Sequence, residues 1–152
     1  MYQIHPHSGV WPELDLAEIL GAMADRLGLS DNQLITLVWA DDAFVRTLNH
    51  DHRGKDRPTN VLSYASDLEG ELGDLIFALE TIAQEARDQD KAFTDHLIHL
   101  ILHGSLHLLG YDHESKEEAE TMEALETQIL HELGLPDPYG QEDLRPKPRL
   151  TS

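Results

Sequence analysis

The stretch that decides the fold is His103-Gly104-Ser105-Leu106-His107-Leu108-Leu109-Gly110-Tyr111-Asp112-His113, which holds three of the chain's ten histidines. His103 and His107 are four residues apart, so on a helix they lie one turn apart on the same face. Gly110 follows at a point where a helix can end in a left-handed conformation that glycine adopts at little cost. We expect the chain to double back there and bring His113 to the other two imidazoles. The spacing therefore predicts a three-histidine metal site at the end of a central helix.

The ligand set indicates which metals and which chemistry suit this site. Three imidazoles leave the fourth coordination position open, as in catalytic zinc sites. The chain has no cysteine, so the ligands are nitrogen or oxygen, which suits zinc but also nickel, copper or iron. In zinc proteases with this spacing a glutamate base follows the first histidine, whereas Gly104 has no side chain, so a protease is not expected. His99, four residues before His103, is either a further ligand or an ordinary supporting residue, and we favour the second role.

Length and composition indicate one globular domain. The chain has 152 residues, 40% of them hydrophobic, which is enough for a sizeable core. We predict a single metal-dependent hydrolase domain over residues 1–135 and a flexible, proline-rich tail over 136–152. The N-terminus does not resemble a signal peptide, and the longest apolar region, Leu97 to Leu109, is too short to span a bilayer. These features predict a soluble, cytoplasmic protein with no membrane partner.

The charge is strongly acidic overall but locally basic. The formal net charge of −18 disfavours binding of DNA or other nucleic acids through the overall field. Arg53, Lys55 and Arg57 nevertheless lie within five residues, which we call the cationic segment (residues 53–57). Helical periodicity is lost from Asn49 to Asn60, so we predict a loop there. The cationic segment is either an anion site or a solvated surface loop, and its composition alone favours neither.

The remaining pattern predicts an α+β fold, a small mixed β-sheet packed with helices. Strands are predicted at 34–39, 61–65 and 72–77, the last two antiparallel, with a weakly marked edge strand at 2–4 or slightly longer. Helices are predicted at 16–27, from Asp41 or Asp42 to about Leu48, at 81–90, at 93–109 and from Ser115 to Leu133. Ser115 and Glu118 form a capping box for the last of these helices.

Three stretches together resemble the bacterial YbeY proteins. They are the histidine stretch at 103–113, Arg-Gly-Lys-Asp-Arg-Pro-Thr-Asn-Val-Leu-Ser at 53–63 and Gly-Asp-Leu-Ile-Phe at 73–77, and the resemblance extends from about residue 34 to 135. It implies an endoribonuclease of ribosomal RNA maturation and ribosome quality control, with zinc bound by His103, His107 and His113. It also implies a functionally essential Arg53 near the substrate, and ribosomal RNA with the ribosome or ribosomal proteins as partners. The family more often has phenylalanine where this chain has Tyr64.

The expected chemistry also suits a phosphodiester substrate. Zinc held by neutral imidazoles can supply an ionised water near neutral pH, and Arg53 can bind phosphoryl oxygens through two parallel hydrogen bonds. Lys55 and Arg57 are expected to bind substrate as well. Asp112 either orients a ligand histidine or is an exposed turn residue. The alternatives are a non-catalytic ribosome-assembly factor with a structural metal, which the acidic charge favours somewhat, and a metal-dependent amidohydrolase.

Overall fold

The computed structural model describes residues 1–7, 14–53, 59–111 and 114–139, with the side chains of residues 50–53 left out. The chain divides into two compact units, Met1–Gly110 and Tyr111–Ser152. In chain order the first unit contains β1 (Tyr2–Pro6), α1 (Ala17–Leu27), β2 (Leu34–Ala40), α2 (Asp42–Arg53), β3 (Val61–Ala65), β4 (Glu71–Ala78), α3 (Leu79–Asp88) and α4 (Phe93–Leu108). The second unit contains α5 (Lys116–Glu132). The single domain at 1–135 and the tail at 136–152 stay predictions, and residues 140–152 lie outside the described part of the chain.

The strands of the first unit form one mixed sheet in the order β1-β2-β4-β3. β1 and β4 both pair with β2 in parallel, whereas β3 pairs with β4 antiparallel. The antiparallel pair and the α+β class are therefore confirmed. The weakly marked edge strand is also confirmed and continues two residues further, to Pro6, where an edge position tolerates the missing N–H.

Both faces of this sheet are covered, which explains the long apolar runs in β2 and β4. Successive residues of a strand point to opposite faces, so Leu75 lies on one face of β4 and Ile76 on the other. Ile76 packs in a cluster with Val45 of α2. Leu75 lies against Gly104 of α4. The sheet is thus enclosed between α2 and α4, and the histidine-bearing helix lies directly on its central part.

Helices α2 and α3 cap each other. The Asp42 N–H donates to Glu80 Oε1 at 2.8 Å, while the Thr81 N–H and hydroxyl donate to Asp42 Oδ1 at 3.2 and 2.8 Å. Each helix start therefore satisfies a backbone donor of the other. α3 begins immediately after β4, two residues before the predicted start. Because the cap comes from another helix, no local capping residue marks this start in the sequence.

The predicted loop at 49–60 is wrong for residues 49–53, because α2 continues to Arg53. Its start is as predicted: the Phe44 N–H donates to Asp41 Oδ1 at 2.8 Å. Asn49 is buried one turn after Val45, in a position where an apolar residue is expected. This polar residue on the inner face hides the last turns of the helix from a hydrophobicity pattern. Arg53 consequently lies in a helix and not in a loop.

The predicted helix ends are borne out at both ends of the chain. Gly28 follows α1 with a φ of +70°, in the left-handed region. In the second unit the Ser115 hydroxyl accepts from the Glu118 N–H and the Glu118 carboxylate accepts from the Ser115 N–H, which is the expected capping box. Tyr139 donates its hydroxyl to Glu126 Oε1 at 2.7 Å within the same unit. Among the described residues, no helix has the length and apolarity to cross a membrane.

Candidate active site

The long helix α4 places His103 and His107 together, as their spacing predicts. Their ring centroids are 4.8 Å apart, the ring planes are inclined by 82°, and both side chains are half-buried. With zinc–nitrogen distances of about 2.0–2.1 Å, two imidazoles on one tetrahedral ion have centroids roughly 5 Å apart. The pair therefore fits two ligands of one metal. α4 ends at Leu108, and Gly110 has a φ of +106°, so the glycine turn is also present.

The remaining members of the predicted site are only partly described. His99 is farther along α4, with its ring centroid 6.4 Å from that of His103. Within residues 1–7, 14–53, 59–111 and 114–139, no three His, Asp or Glu side chains are arranged to hold a metal. His99 therefore does not complete a site with the other two. His113 and Asp112 lie outside the described residues, so the three-histidine set stays a prediction.

Two glycines bring the histidine-bearing helix close to the sheet. A Cβ on Gly104 would lie 2.8 and 2.9 Å from the two Cδ atoms of Leu75. On Gly73 of β4, a Cβ would meet the Tyr64 carbonyl oxygen and lie 2.8 Å from Leu108 Cδ2. These three carbon–carbon distances are shorter than ordinary van der Waals contacts. The position after His103 thus has no room for the glutamate base of zinc proteases, which gives a packing reason for the glycine noted in the sequence.

A side-chain hydrogen bond joins the edge strand β1 to α4, at a position between His103 and His107. The hydroxyl oxygens of Tyr2 and Ser105 are 2.7 Å apart, and Ser105 donates to the Ile101 carbonyl at 2.7 Å. Because the serine proton is used in the helix, Tyr2 donates and Ser105 accepts. Burial raises the pKa of Tyr2 to about 12, which keeps this donor protonated. No pattern in the sequence indicates this hydrogen bond, because it pairs residues that are far apart along the chain.

A second polar cluster, also missed from the sequence, lies around Glu85 of α3. The Asn60 side-chain amide donates to Glu85 Oε1 and Oε2 at 3.2 and 3.4 Å. His96 Nε2 lies 3.0 Å from Glu85 Oε1, and His96 is only 6% exposed. Burial lowers the pKa of His96 below its usual value, although Glu85 acts in the opposite direction. We call Asn60, Glu85 and His96 the Glu85 network.

The cationic segment is described only at its first residue. Arg53 lies in α2, and its side chain is not among those described. Lys55 and Arg57 lie outside the described residues. The roles of all three in catalysis and substrate binding therefore stay predictions.

Comparison with known proteins identifies the family. The sequence profile named endoribonuclease YbeY matches residues 13–134. The chain belongs to the YbeY endoribonuclease family. An endoribonuclease YbeY from Rhizobium etli is 48% identical, over 86% of this chain and 84% of its own length. Another, from Paramagnetospirillum magneticum, is 56% identical over 71% of this chain and 72% of its own length.

A solved structure has a similar fold. The solution structure of a protein from Thermotoga maritima matches 93% of this chain and all of its own, with a TM-score of 0.60 and 25% identity. Membership of the family makes this protein a hydrolytic endoribonuclease with RNA as its substrate, as the sequence predicts.

Proposed function

We propose that this endoribonuclease is zinc-dependent and cleaves single-stranded regions of ribosomal RNA in ribosome maturation and quality control, in the cytoplasm. The observation that carries the zinc dependence is the half-buried His103 and His107 pair, with ring centroids 4.8 Å apart on one face of α4. The net charge of −18 disfavours capture of free RNA by the overall field. We therefore propose that the ribosome or ribosomal proteins present the substrate to the enzyme.

The ligand set is His103, His107 and His113. Each must be neutral to give a nitrogen lone pair to the metal, so binding weakens as the imidazoles become protonated. When bound, zinc supplies a Lewis acid that makes water ionise near neutral pH. Gly104 leaves no carboxylate base on the helix next to His103, and a Cβ there would lie 2.8 Å from Leu75. The chain's own histidines therefore provide metal binding, while proton transfer by a residue at position 104 is ruled out.

The cationic segment is proposed to bind the RNA phosphates. Arg53 presents five N–H donors in a planar fork that can bind two phosphoryl oxygens at once, while Lys55 and Arg57 add charge. A donor that meets the phosphoryl group as negative charge develops lowers the barrier to cleavage. Arg53 is thus the proposed catalytic residue, and Lys55 and Arg57 are proposed to bind the flanking backbone.

The first test is the zinc content of purified full-length variants. His103→Ala, His107→Ala and His113→Ala should each lose most of the bound zinc, since every proposed ligand is needed. His131→Ala, which removes an exposed imidazole from the last turn of α5, is the matched control and should keep a full equivalent. His99→Ala should keep it too. A full equivalent of zinc in His107→Ala would show the ligand assignment to be wrong.

The second test is cleavage of ribosomal RNA by the same preparations. Arg53→Ala should keep zinc and lose about 10²–10³-fold in rate, since that is the usual effect of removing one transition-state donor. Arg53→Lys should recover part of the loss, and Arg87→Ala, an exposed cation on α3, should cleave normally. Equal cleavage by Arg53→Ala and the unmodified protein would remove Arg53 from the mechanism. Equal cleavage by zinc-depleted protein would show the activity to be a contaminant.

A further inference from the structure

We propose that Glu85 is a positioning residue for RNA cleavage, because its carboxylate joins Asn60, just after the cationic segment, to His96 on the histidine-bearing helix. The proposal rests on the proposed phosphate-binding role of the cationic segment. It assigns no contact between Glu85 and RNA. Glu85 acts by fixing where the chain emerges from that segment relative to α4.

Asn60 is held through both its backbone and its side chain. Its carbonyl accepts from the Ala78 N–H at 2.9 Å, and its amide donates to the Glu85 carboxylate at 3.2 and 3.4 Å. Arg57 precedes it by three residues, and a chain extends by at most about 3.6 Å per residue. Fixing Asn60 limits the positions that the end of the cationic segment can reach.

The other partner of Glu85 belongs to the helix that carries the metal-ligand pair. His96 precedes His103 by seven residues, which is nearly two helical turns and returns to the same face. The two residues are therefore separated by roughly 10 Å along the helix axis. A single carboxylate thus joins the chain after the cationic segment to the histidine-bearing face of α4. A shift of either partner changes the distance between the proposed phosphate contacts and the metal-ligand pair.

The chemistry of the network indicates a geometric role. Glu85 is the partner of His96 Nε2, and no described group forms a hydrogen bond with the buried Nδ1. His96 is buried and Glu85 is half-buried. A hydrogen-bond network of this kind requires particular donor and acceptor positions, so it favours one orientation of its members. Such a network is suited to fixing the position of Asn60 relative to α4.

An exchange of donor and acceptor tests this directly. Asn60→Asp places a carboxylate against that of Glu85. Glu85→Gln removes the charge, leaves one neutral oxygen to accept from both Asn60 and His96, and places its N–H₂ group beside the Asn60 amide. The double variant Asn60→Asp/Glu85→Gln restores a donor and an acceptor in reversed order, and the amide oxygen introduced by Glu85→Gln can still accept from His96. Asn60→Asp should raise KM for a labelled single-stranded RNA at least about tenfold, the usual effect of losing a hydrogen bond to a charged group. Glu85→Gln should raise KM by less, because its neutral oxygen can still accept from Asn60. The double variant should return most of the way to the original KM.

Salt dependence separates positioning from general loss of stability. For single-stranded RNA, the slope of log affinity against log salt concentration becomes shallower by about 0.7 for every phosphate interaction that is removed. Asn60→Asp and Glu85→Gln should therefore reduce the slope at unchanged zinc content, as Arg57→Ala should. Ile82→Val is the matched control, because it shortens a buried side chain on the same helix outside the network and should leave the slope unchanged. If Asn60→Asp does not fold, Asn60→Ala removes the same amide without adding charge.

The outcomes distinguish this inference from the proposed function. If Arg57→Ala lowers the slope and the Glu85 network variants do not, the positioning role is wrong and phosphate binding by the segment stands. If Ile82→Val raises KM as much as Glu85→Gln does, the network acts only through stability and the inference is overturned. If Arg57→Ala leaves the slope unchanged, the phosphate-binding role fails and the positioning role fails with it. Recovery of both KM and slope in the double variant supports the inference.

Discussion

The close contact of α4 with β4 makes Gly104→Ala a quantitative test of the fold around the histidine pair. In a helix interior alanine is more favourable than glycine by about 1 kcal/mol, so the substitution would ordinarily stabilise the protein. Here the new Cβ would lie 2.8 and 2.9 Å from the Cδ atoms of buried Leu75. Overpacking of a core costs typically about 1–3 kcal/mol. The free energy of unfolding should therefore fall by about 0–2 kcal/mol, the difference of the two effects.

Gly21→Ala is the matched control. Gly21 is an exposed residue within α1, and apart from its chain neighbours and the backbone of its own helix, no described atom lies within 4 Å of a Cβ built on it. The same substitution should there raise the free energy of unfolding by up to about 1 kcal/mol. For a chain of this size, 1 kcal/mol shifts Tm by about 2–4 °C. Urea unfolding gives the change in the free energy of unfolding for each variant relative to the unmodified protein. The difference between the two changes is the steric cost at Gly104.

A double variant tests whether Leu75 is the cause. Gly104→Ala/Leu75→Val should be less destabilised than the sum of the two single variants, by about 0.5–3 kcal/mol, because the shorter side chain removes the contacting carbons. If Gly104→Ala stabilises the protein as much as Gly21→Ala does, α4 does not lie against Leu75 as described. Additive effects in the double variant would show that the cost arises elsewhere.

Three further predictions concern contacts that lie within the first unit or within the second. Tyr2→Phe should lower the free energy of unfolding by about 0.5–1.5 kcal/mol in urea, through loss of the donor to Ser105; an unchanged midpoint would contradict this. Ser115→Ala should cost about 1 kcal/mol and Ser115→Asp much less, because aspartate also caps; equal losses would show that capping is not the cause. Burial lowers the pKa of His96, so the unfolded chain binds the proton first and stability should fall as pH drops below about 6.5. Unfolding measured between about pH 5 and 8 should show less of this decline in His96→Gln, and an identical pH profile would contradict the assignment.

The parts of the fold that the sequence predicts well are those encoded locally. The capping box at Ser115 and Glu118 depends on residues three positions apart, and the histidine pair depends on a helical repeat of four. Gly28 and Gly110 have the positive φ angles expected of glycines that end helices. In each case the physical cause lies within one or two turns of chain, so a pattern in the sequence is sufficient.

The errors occur where tertiary contacts determine a feature that has no local signal. α3 begins two residues earlier than predicted because Asp42, in another helix, caps Thr81. The end of α2 is predicted too early because Asn49, a polar residue, is buried in a position where apolar residues are expected. In the sequence, the start of α3 has no local capping residue, and Asn49 looks like the beginning of a loop. Neither error can be corrected without knowing which elements are neighbours.

The same physical cause explains why the Glu85 network was not predicted although its residues are ordinary. Asn60, Glu85 and His96 come from the residue before β3, from α3 and from α4, and each taken alone suits an exposed turn, a solvated helix face or an apolar helix. Their meaning depends on the sheet order, which places β3 beside β4 and so brings Asn60 to the Ala78 N–H where α3 begins. A metal site can be recognised by ligand spacing because its ligands lie in one stretch of chain. The residues that hold the rest of an active site in register are identified only once the strands are ordered, and Glu85 is therefore the residue whose variants test the structure most directly.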